Sequence, residues 1–271
     1  MSSCPQLQNI GVSRLPNGVG LITYSRPEIA NAINPDVLQE LLTAYNWAVA
    51  EEGVKVIVQT GRGKFFSTGM DLSSPQHNGS MPPDPLQTLH TLNRTLIDCD
   101  KVTIAAVNGP CAGYGASSLG LFDLVYAVPS AYFFTPFVKW GLSAEACSSF
   151  TFTHIMGRQK AAHLILTGER MSAQELHMAG MISKILPEDR FLDTVLDIAA
   201  KLTELPPTSL KANKRLMTGY YRRELHEANN LERDLFRTLK SGSETREAVK
   251  KFKEEQLAKK VASSRKGASR L

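Results

Sequence analysis

The stretch Lys101–Ser149, KVTIAAVNGPCAGYGASSLGLFDLVYAVPSAYFFTPFVKWGLSAEACSS, decides the fold of this chain. It opens with an apolar, β-branched run, Val102–Val107, which has the length of a buried strand and ends in the turn Asn108-Gly109-Pro110. Gly113-Tyr114-Gly115 then leads into a run of small residues, Ala116–Leu121, that predicts a helix. The first N–H groups of a helix have no partner within it and lie at the positive end of its dipole. This junction can therefore hold an anion or a developing oxyanion.

The second half of the same stretch carries one isolated carboxylate. A buried strand is predicted over Leu124–Val128, and the run Phe133–Leu142 is almost wholly apolar or aromatic. Glu145 follows, between small and weakly polar residues. Because an acid in such surroundings is poorly solvated, the pKa of Glu145 is expected to lie above its usual value of about 4.3.

Strands alternate with helices before this stretch, and helices dominate after it. Strands are predicted over Val19–Tyr24 and Val54–Thr60, and helices over Pro35–Ala50, with Asn34 as N-cap, and Leu86–Asp98. Beyond Glu145 the predicted helices are Ser149–Ile155, Gln159–Leu166, Ser172–Ala179, Arg190–Leu205, Pro207–Met217, Glu224–Leu239 and Glu244–Lys260. The pattern predicts an α/β fold. Residues 1–205 would form a parallel-sheet core, and residues 206–271 a helical region that covers the site or builds an oligomer interface.

Composition is typical of a soluble globular protein, with 42% hydrophobic and 21% charged residues in a chain of 271. No apolar run approaches the roughly 20 residues that span a bilayer, and Met1–Ile10 lacks a signal pattern. We therefore expect no membrane span and an intracellular protein, or one imported after folding. The four cysteines show neither metal nor disulfide spacing and are expected to be reduced.

The net charge of +5 is concentrated in residues 242–271, which hold nine Lys and Arg against four Glu. Nucleic-acid binding would need stacking aromatics or a recognised motif, and this segment has only Phe252. We interpret it as a solvated helix face with phosphate-contacting lysines, and expect no nucleic-acid partner.

Several enzyme classes lack their motifs here. The sequence contains no GxxxxGK[ST], HExxH or GxSxG pattern. Gly113-x-Gly115-x-x-Ser118 lacks the third glycine of a dinucleotide fingerprint, which argues against a nicotinamide enzyme. The six histidines show no metal-ligand spacing, so no metal is expected.

Two glycine turns and one base remain. The segments FFSTGMDL (Phe65–Leu72) and NGPCAGYG (Asn108–Gly115) both follow strands, and each can aim a backbone N–H into one pocket. Two such donors form an oxyanion hole. Beside a single carboxylate base, they suit removal of a proton α to a carbonyl and stabilisation of the enolate.

These residues make the chain resemble the enoyl-CoA hydratase/isomerase (crotonase) superfamily, from about Val19 to the C-terminus. The motifs are Arg26-Pro27, Asn31-Ala32, Phe66–Asp71, Val107–Pro110, Leu121–Asp123, Phe134–Phe137 and Gly141-Leu142. The resemblance implies a crotonase-like spiral of ββα units, acyl-CoA substrates, and homotrimers or hexamers. It also implies no separate cofactor, because CoA is part of the substrate.

The resemblance assigns roles by position. The oxyanion donors would be the N–H groups of Met70 and Tyr114, and Thr68, Gly69, Met70, Asp71 and Leu72 would line the thioester and adenine end of the CoA site. Phe66, Phe134, Phe137 and Trp140 would either shape an acyl tunnel or simply pack the core.

Departures from the family pattern point to one reaction. Hydratases of the family use two glutamates, at positions that here hold Ser117 and Phe137. Glu145 instead matches the single catalytic glutamate of the peroxisomal-type Δ3,Δ2-enoyl-CoA isomerases. The resemblance thus implies isomerisation of 3-enoyl-CoA to trans-2-enoyl-CoA in β-oxidation of unsaturated fatty acids. The alternatives are a hydratase of a specialised acyl-CoA pathway and a non-catalytic acyl-CoA-binding homologue.

The last three residues, Ser269-Arg270-Leu271, resemble the small-basic-Leu peroxisomal import signal. They predict location in the peroxisomal matrix and the import receptor as a partner.

Overall fold

A computed structural model of the protein describes residues 3–71, 84–252 and 254. The strands within these residues are β1 (Ile10–Arg14), β2 (Val19–Tyr24), β3 (Val56–Gly61), β4 (Val102–Val107), β5 (Cys111–Ala112), β6 (Leu124–Ala127), β7 (Tyr132–Phe134), β8 (Met171–Ser172) and β9 (Lys184–Ile185). One sheet has the order β1-β2-β3-β4-β6-β9 and is parallel except for the β1–β2 pair. A second sheet has the order β5-β7-β8.

Helices surround the larger sheet. They are α1 (Pro35–Ala50), α2 (Pro85–Ile97), α3 (Tyr114–Ser117), α4 (Ser148–Ala162), α5 (Ala173–Met178), α6 (Phe191–Thr203), α7 (Pro207–Gly219) and α8 (Arg222–Lys240), and residues 243–252 are also helical. Helix α6 contacts β2, β3 and β4, while α2 packs against both α1 and α8. Among the described residues, no helix is both long and apolar enough to cross a membrane.

The strand β3, which lies between β2 and β4 in the larger sheet, is fully buried. Burial of all six of its residues is expected for a parallel strand covered on both faces. The start of α1 follows the predicted capping pattern, because the Asn34 side chain accepts a hydrogen bond from the Val37 N–H at 2.9 Å and Pro35 occupies the first turn. The predicted strands over Val19–Tyr24 and Val102–Val107 are confirmed with the same bounds.

The short strands were not predicted. β5, β8 and β9 have two residues each, too few to show an alternating pattern, and they form only because a neighbouring strand offers hydrogen-bonding groups. The predicted helix Ala116–Leu121 begins earlier, at Tyr114, and continues as a 3-10 helix over Ser118–Leu121. The helices predicted separately over Ser149–Ile155 and Gln159–Leu166 are joined in α4, which is interrupted at Gly157 by a non-helical φ of 75° and is followed by a π-helix over His163–Thr167.

A buried ion pair fastens α7 to the sheet. Lys214 Nζ lies 2.6 Å from Asp123 Oδ2, which also accepts a hydrogen bond from the Thr103 N–H at 2.7 Å. The Lys214 side chain is only 7% exposed. Removing one partner would therefore leave a poorly solvated charge.

We expect Lys214→Met to lower the free energy of unfolding by about 3 kcal/mol, the lower end of the cost of breaking a buried pair, because Asp123 keeps its bonds from Thr103. Urea denaturation measures this loss. Lys211→Met is the matched control on the same helix, since Lys211 is 48% exposed beside Asp100. An exposed pair contributes less than about 1 kcal/mol. Equal losses in the two variants would contradict the assignment.

Candidate active site

The first glycine turn follows β3 and is held by Asn31. The Asn31 side chain donates a hydrogen bond to the Phe65 carbonyl oxygen at 2.7 Å, and its backbone carbonyl accepts one from Ser67 Oγ at 2.9 Å. Asn31 has a left-handed φ of 54°, which Asn adopts more readily than most residues. This segment therefore shapes the backbone that leads to Met70.

The second turn follows β4 and lies directly against the first. The Asn108 side chain accepts a hydrogen bond from the Gly61 N–H at 3.1 Å and donates one to the Gly63 carbonyl oxygen at 2.8 Å. Further along, the Ala112 N–H donates to the Ser67 carbonyl oxygen at 2.8 Å. The two turns that are far apart in the sequence are thus neighbours in space.

Two glycines make the closest approach between these turns. Gly69 has a φ of 76° and Gly113 a φ of 52°. A Cβ on Gly69 would lie 2.8 Å from the Ala112 carbonyl oxygen. A Cβ on Gly113 would lie 3.3 Å from Gly69 Cα and 4.0 Å from Met70 N. Only glycine fits at Gly69 without moving backbone, and the Met70 N–H consequently lies beside the turn that begins α3.

Two backbone donors at these turns have no acceptor among the described residues. They are the N–H groups of Met70, next to Gly69, and of Tyr114, the first residue of α3. Donors that are fixed by backbone geometry need no reorganisation when charge develops on a substrate oxygen. The paired turns therefore have the parts of an oxyanion hole.

A buried polar network runs from Tyr114 into α2 and α8. The Tyr114 hydroxyl donates to Asn93 Oδ1 at 3.0 Å, and the Asn93 amide donates to Asn229 Oδ1 at 2.9 Å. The Asn229 amide in turn donates to the carbonyl oxygen of His90 at 3.0 Å. Since all four residues are buried, the network fixes α3 relative to both helices.

Glu145 lies beside this network and lines one cavity together with Asn93 and Asn229. It precedes α4 and is 7% exposed, and the cavity has a volume of about 10 Å³, close to the space of one water. The cavity is also lined by Leu89, His90, Glu232 and Phe236. Burial, and to a smaller extent the charge of Glu232, raises the pKa of Glu145 to about 8. The direction of this shift is the one expected from the sequence.

A second carboxylate, which the sequence analysis did not single out, faces the same cavity. Glu232 lies on α8 and is 7% exposed. Its two oxygens accept hydrogen bonds from the backbone N–H groups of Cys147 at 2.6 Å and Ser149 at 2.8 Å. Both of its oxygens are therefore engaged by the segment that carries Glu145.

Helical spacing is the signal that identifies these missed residues. On α8, Leu225, Ala228, Asn229 and Glu232 are buried and follow the i, i+3, i+4, i+7 spacing of one helix face. On α2, Asn93 lies on the face of buried Leu89, Leu92 and Leu96. A polar residue within an apolar helical stripe is thus the pattern that predicts the network.

The predicted CoA-side residues lie on and around the first turn. Thr68 is exposed and its hydroxyl donates to the Ala30 carbonyl oxygen at 3.1 Å, while Gly69 is buried and Met70 and Asp71 are partly buried. Leu72 lies outside the described residues, as do the tripeptide residues Ser269, Arg270 and Leu271. Their roles stay predictions.

The cavity beside Glu145 is not lined by any of the four aromatic residues that were predicted to shape the acyl pocket. Phe66 is fully buried with its ring edge-on to Tyr24, at 5.6 Å between centroids, and Phe137 is buried too. Phe134 and Trp140 are partly buried. Their burial agrees with core packing and with the wall of an acyl tunnel, so the tunnel stays a prediction.

No group of three or more His, Cys, Asp or Glu side chains in the described ranges is arranged to hold a metal ion. The polar groups that the described residues place at this site are two carboxylates, an amide network and two backbone donors.

Comparison with known proteins agrees with this architecture. A family model described as enoyl-CoA hydratase/isomerase matches residues 14–259. Enoyl-CoA delta isomerase 2 of Rattus norvegicus is 36% identical over 219 residues, covering 79% of this chain and 56% of the rat protein. Enoyl-CoA delta isomerase 3, peroxisomal, of Mus musculus is 31% identical over 217 residues, covering 79% of this chain and 68% of the mouse protein.

A solved structure, an enoyl-CoA hydratase/isomerase from Pseudoalteromonas atlantica T6c, has a TM-score of 0.85 at 29% identity, covering 92% of this chain and 98% of that chain. The predicted crotonase-like α/β fold is confirmed by this match. The chain spans 56% of the length of the rat relative.

Proposed function

This chain belongs to the enoyl-CoA hydratase/isomerase family, and we propose that it isomerises 3-enoyl-CoA to trans-2-enoyl-CoA. Such a reaction serves the β-oxidation of unsaturated fatty acids. It needs no cofactor beyond the CoA that is part of the substrate.

In the proposed mechanism, the Glu145 carboxylate removes a proton from C2 of the bound thioester. The electrons move into a dienolate, whose negative thioester oxygen accepts hydrogen bonds from the N–H groups of Met70 and Tyr114. Glu145 then returns the same proton to C4, and the double bond moves from C3–C4 to C2–C3. Neither water nor an oxidant is consumed.

The state and surroundings of Glu145 carry this proposal. Its carboxyl group is buried, has a raised pKa, and shares its cavity with Asn93, the hydrogen-bond partner of Tyr114. A base with a pKa near 8 is well matched to accepting and returning a proton near neutral pH.

Hydration is the second candidate, because Glu232 adds a carboxylate to the cavity. Two observations disfavour it. The positions of the two hydratase glutamates hold Ser117 and Phe137, both buried. In addition, both oxygens of Glu232 accept backbone hydrogen bonds from Cys147 and Ser149, which fits a structural role for this carboxylate better than activation of water.

Product analysis distinguishes the candidates. Purified protein is incubated with a 3-enoyl-CoA and, separately, with a trans-2-enoyl-CoA, and the products are identified by mass and chromatography. We expect an equal-mass 2-enoyl thioester from the first substrate and no water added to either. A gain of one water would support the hydratase, and no change in either substrate would support a non-catalytic acyl-CoA-binding homologue.

The pH dependence of the reaction should report Glu145. As a base, Glu145 acts only when ionised, so kcat/KM is expected to rise with pH, to reach half of its maximum near pH 8, where burial places the pKa of Glu145, and to level off at higher pH. Initial rates between pH 5.5 and 9.5, with buffer controls, measure this rise in kcat/KM. A profile that is flat across this range would contradict the assignment of Glu145 as the base.

We also propose import into the peroxisomal matrix through Ser269-Arg270-Leu271, which the import receptor would bind. The peroxisomal name of the mouse relative supports this location. Deleting the three residues is expected to leave isomerase activity unchanged and the protein in the cytosol, as measured by fluorescence microscopy of an N-terminal fusion. Import of the truncated fusion would contradict the proposal.

A homotrimer or hexamer is the proposed assembly. Apolar residues on α7 and α8 and in the turn between them are exposed in the single chain, among them Leu216 and Met217 at 66% each, Tyr220 in the turn at 87% and Leu231 at 71%. Exposed apolar area of this kind favours association. Sedimentation equilibrium measures the mass in solution.

A further inference from the structure

The backbone that carries Glu145 adopts an unfavourable conformation. The next two residues, Ala146 and Cys147, have left-handed φ angles of 56° and 59°. Each such residue costs roughly 1–2 kcal/mol when it is not glycine or asparagine. The Ser148 N–H closes this turn by donating to the Glu145 carbonyl oxygen at 3.1 Å, and contacts from outside the turn add to this local bond.

Glu232 supplies these contacts from α8. Its Oε2 accepts the Cys147 N–H at 2.6 Å and its Oε1 accepts the Ser149 N–H at 2.8 Å. On the other side of the turn, the Ser148 hydroxyl donates to the Glu145 carbonyl oxygen at 2.7 Å. The turn is thus held between a buried carboxylate and its own backbone.

The residue type at position 232 suits this role. An ionised carboxylate is a pure acceptor and can take one hydrogen bond on each oxygen, and such charge-assisted bonds are about twice as strong as neutral ones. A glutamine would place an NH₂ group against one of the two backbone donors. The structure of the turn therefore calls for an acid of glutamate length.

We propose that Glu232 is a positioning residue for the isomerisation: it holds the left-handed turn Ala146–Cys147 so that Glu145 faces the cavity beside Asn93. This inference rests on the proposed function for its effect on turnover, and on the hydrogen bonds to Cys147 and Ser149 for its effect on structure.

The charge of Glu232 has a second consequence. The other groups around Glu145 are His90 on α2, Arg233 on α8, the Tyr114 hydroxyl and the Cys147 thiol. Burial lowers the pKa of His90 and raises those of Tyr114 and Cys147, so these three are neutral near pH 7. The negative charge of Glu232 adds to the effect of burial in raising the pKa of Glu145, so removing this charge should lower that pKa.

Two variants separate the effect of the Glu232 charge from the effect of its side-chain length. Glu232→Gln keeps the length and removes the charge, so the plateau of kcat should fall about 10-fold to 100-fold, the cost of a misplaced catalytic group, and the midpoint of the pH profile should move to lower pH. Glu232→Asp keeps the charge and shortens the side chain, so the plateau should fall with the midpoint near that of the wild type. Glu227→Gln, on the exposed face of α8, is the control and should match the wild type.

Hydrogen exchange provides a readout that does not depend on catalysis. The peptide containing residues 144–150 should exchange faster in Glu232→Gln than in the wild type and in Glu227→Gln. Wild-type exchange together with a wild-type pH profile in Glu232→Gln would overturn the proposal and leave the isomerase function intact. Absence of isomerisation by the wild-type protein would instead overturn the function, while faster exchange would still support the structural role of Glu232.

Discussion

Glu145→Gln is expected to lower kcat for isomerisation of a 3-enoyl-CoA by about 10²–10⁴-fold, the usual contribution of a general base. Glutamine preserves the size of the side chain but cannot accept the C2 proton. The Met70 and Tyr114 donors remain, so substrate affinity should change little. Steady-state kinetics over a range of substrate concentrations measure both quantities.

Stability measurements show whether this variant is folded. The change in its free energy of unfolding also has a predicted direction. Folding raises the pKa of Glu145 from 4.5 to about 8, so the folded state binds this proton more tightly than the unfolded state does. The resulting stabilisation is complete below about pH 4.5 and is lost as the pH rises to about 8. Glu145→Gln has no such loss. Above pH 8 its free energy of unfolding should exceed that of the wild type by about 3 kcal/mol, after allowing for an unpaired amide.

An inactive variant that is also more stable at high pH would be the signature of a buried catalytic carboxyl group. Near-normal turnover in Glu145→Gln would contradict its role as the base. A loss of stability at every pH would show instead that the carboxyl group supports the fold.

Gly69→Ala is expected to lower kcat by about 10²–10³-fold, the effect of losing one oxyanion donor. The added Cβ would lie 2.8 Å from the Ala112 carbonyl oxygen and 3.1 Å from Gly113 Cα. Because both neighbours are backbone, relief of this clash must move one of the two turns, and with it the Met70 N–H or the Tyr114 N–H. Turnover and thermal unfolding measure the two consequences.

The matched control for this variant is Gly157→Ala. Gly157 has a φ of 75°, close to the 76° of Gly69, and a Cβ there would meet no atom within 4 Å. It therefore carries the backbone strain without the clash at the site. If Gly157→Ala lost as much turnover per folded molecule as Gly69→Ala, the effect would be due to strain and the oxyanion assignment would be wrong.

The long elements of the fold could be predicted because each one carries its own local pattern. The strand Val102–Val107 is a continuous apolar run, and α1 has both an Asn cap and a proline in its first turn. The two-residue strands carry no such pattern. β9 forms because Tyr126 and Ala127 of β6 offer partners to Lys184 and Ile185.

The residues of the candidate site differ in the same way: some have a local sequence pattern and others do not. Glu145 stands out in the sequence because small residues surround it, and the glycine turns stand out by composition. Glu232 stands out less, because α8 is rich in charged residues: helical spacing places it on a stripe with Leu225 and Ala228, and the packing of the helix shows that this stripe is covered. Asn93 and Asn229 depend in the same way on the contact between α2 and α8.

The central claim is that one carboxyl group removes the C2 proton and returns it to C4. The most direct test uses a 3-enoyl-CoA deuterated at C2, converted in ordinary water under single-turnover conditions, with the C4 position of the product analysed by NMR. Because the Glu145 cavity has space for about one water, part of the deuterium is expected at C4. Product that forms at the normal rate with only solvent hydrogen at C4 would contradict the single-base account.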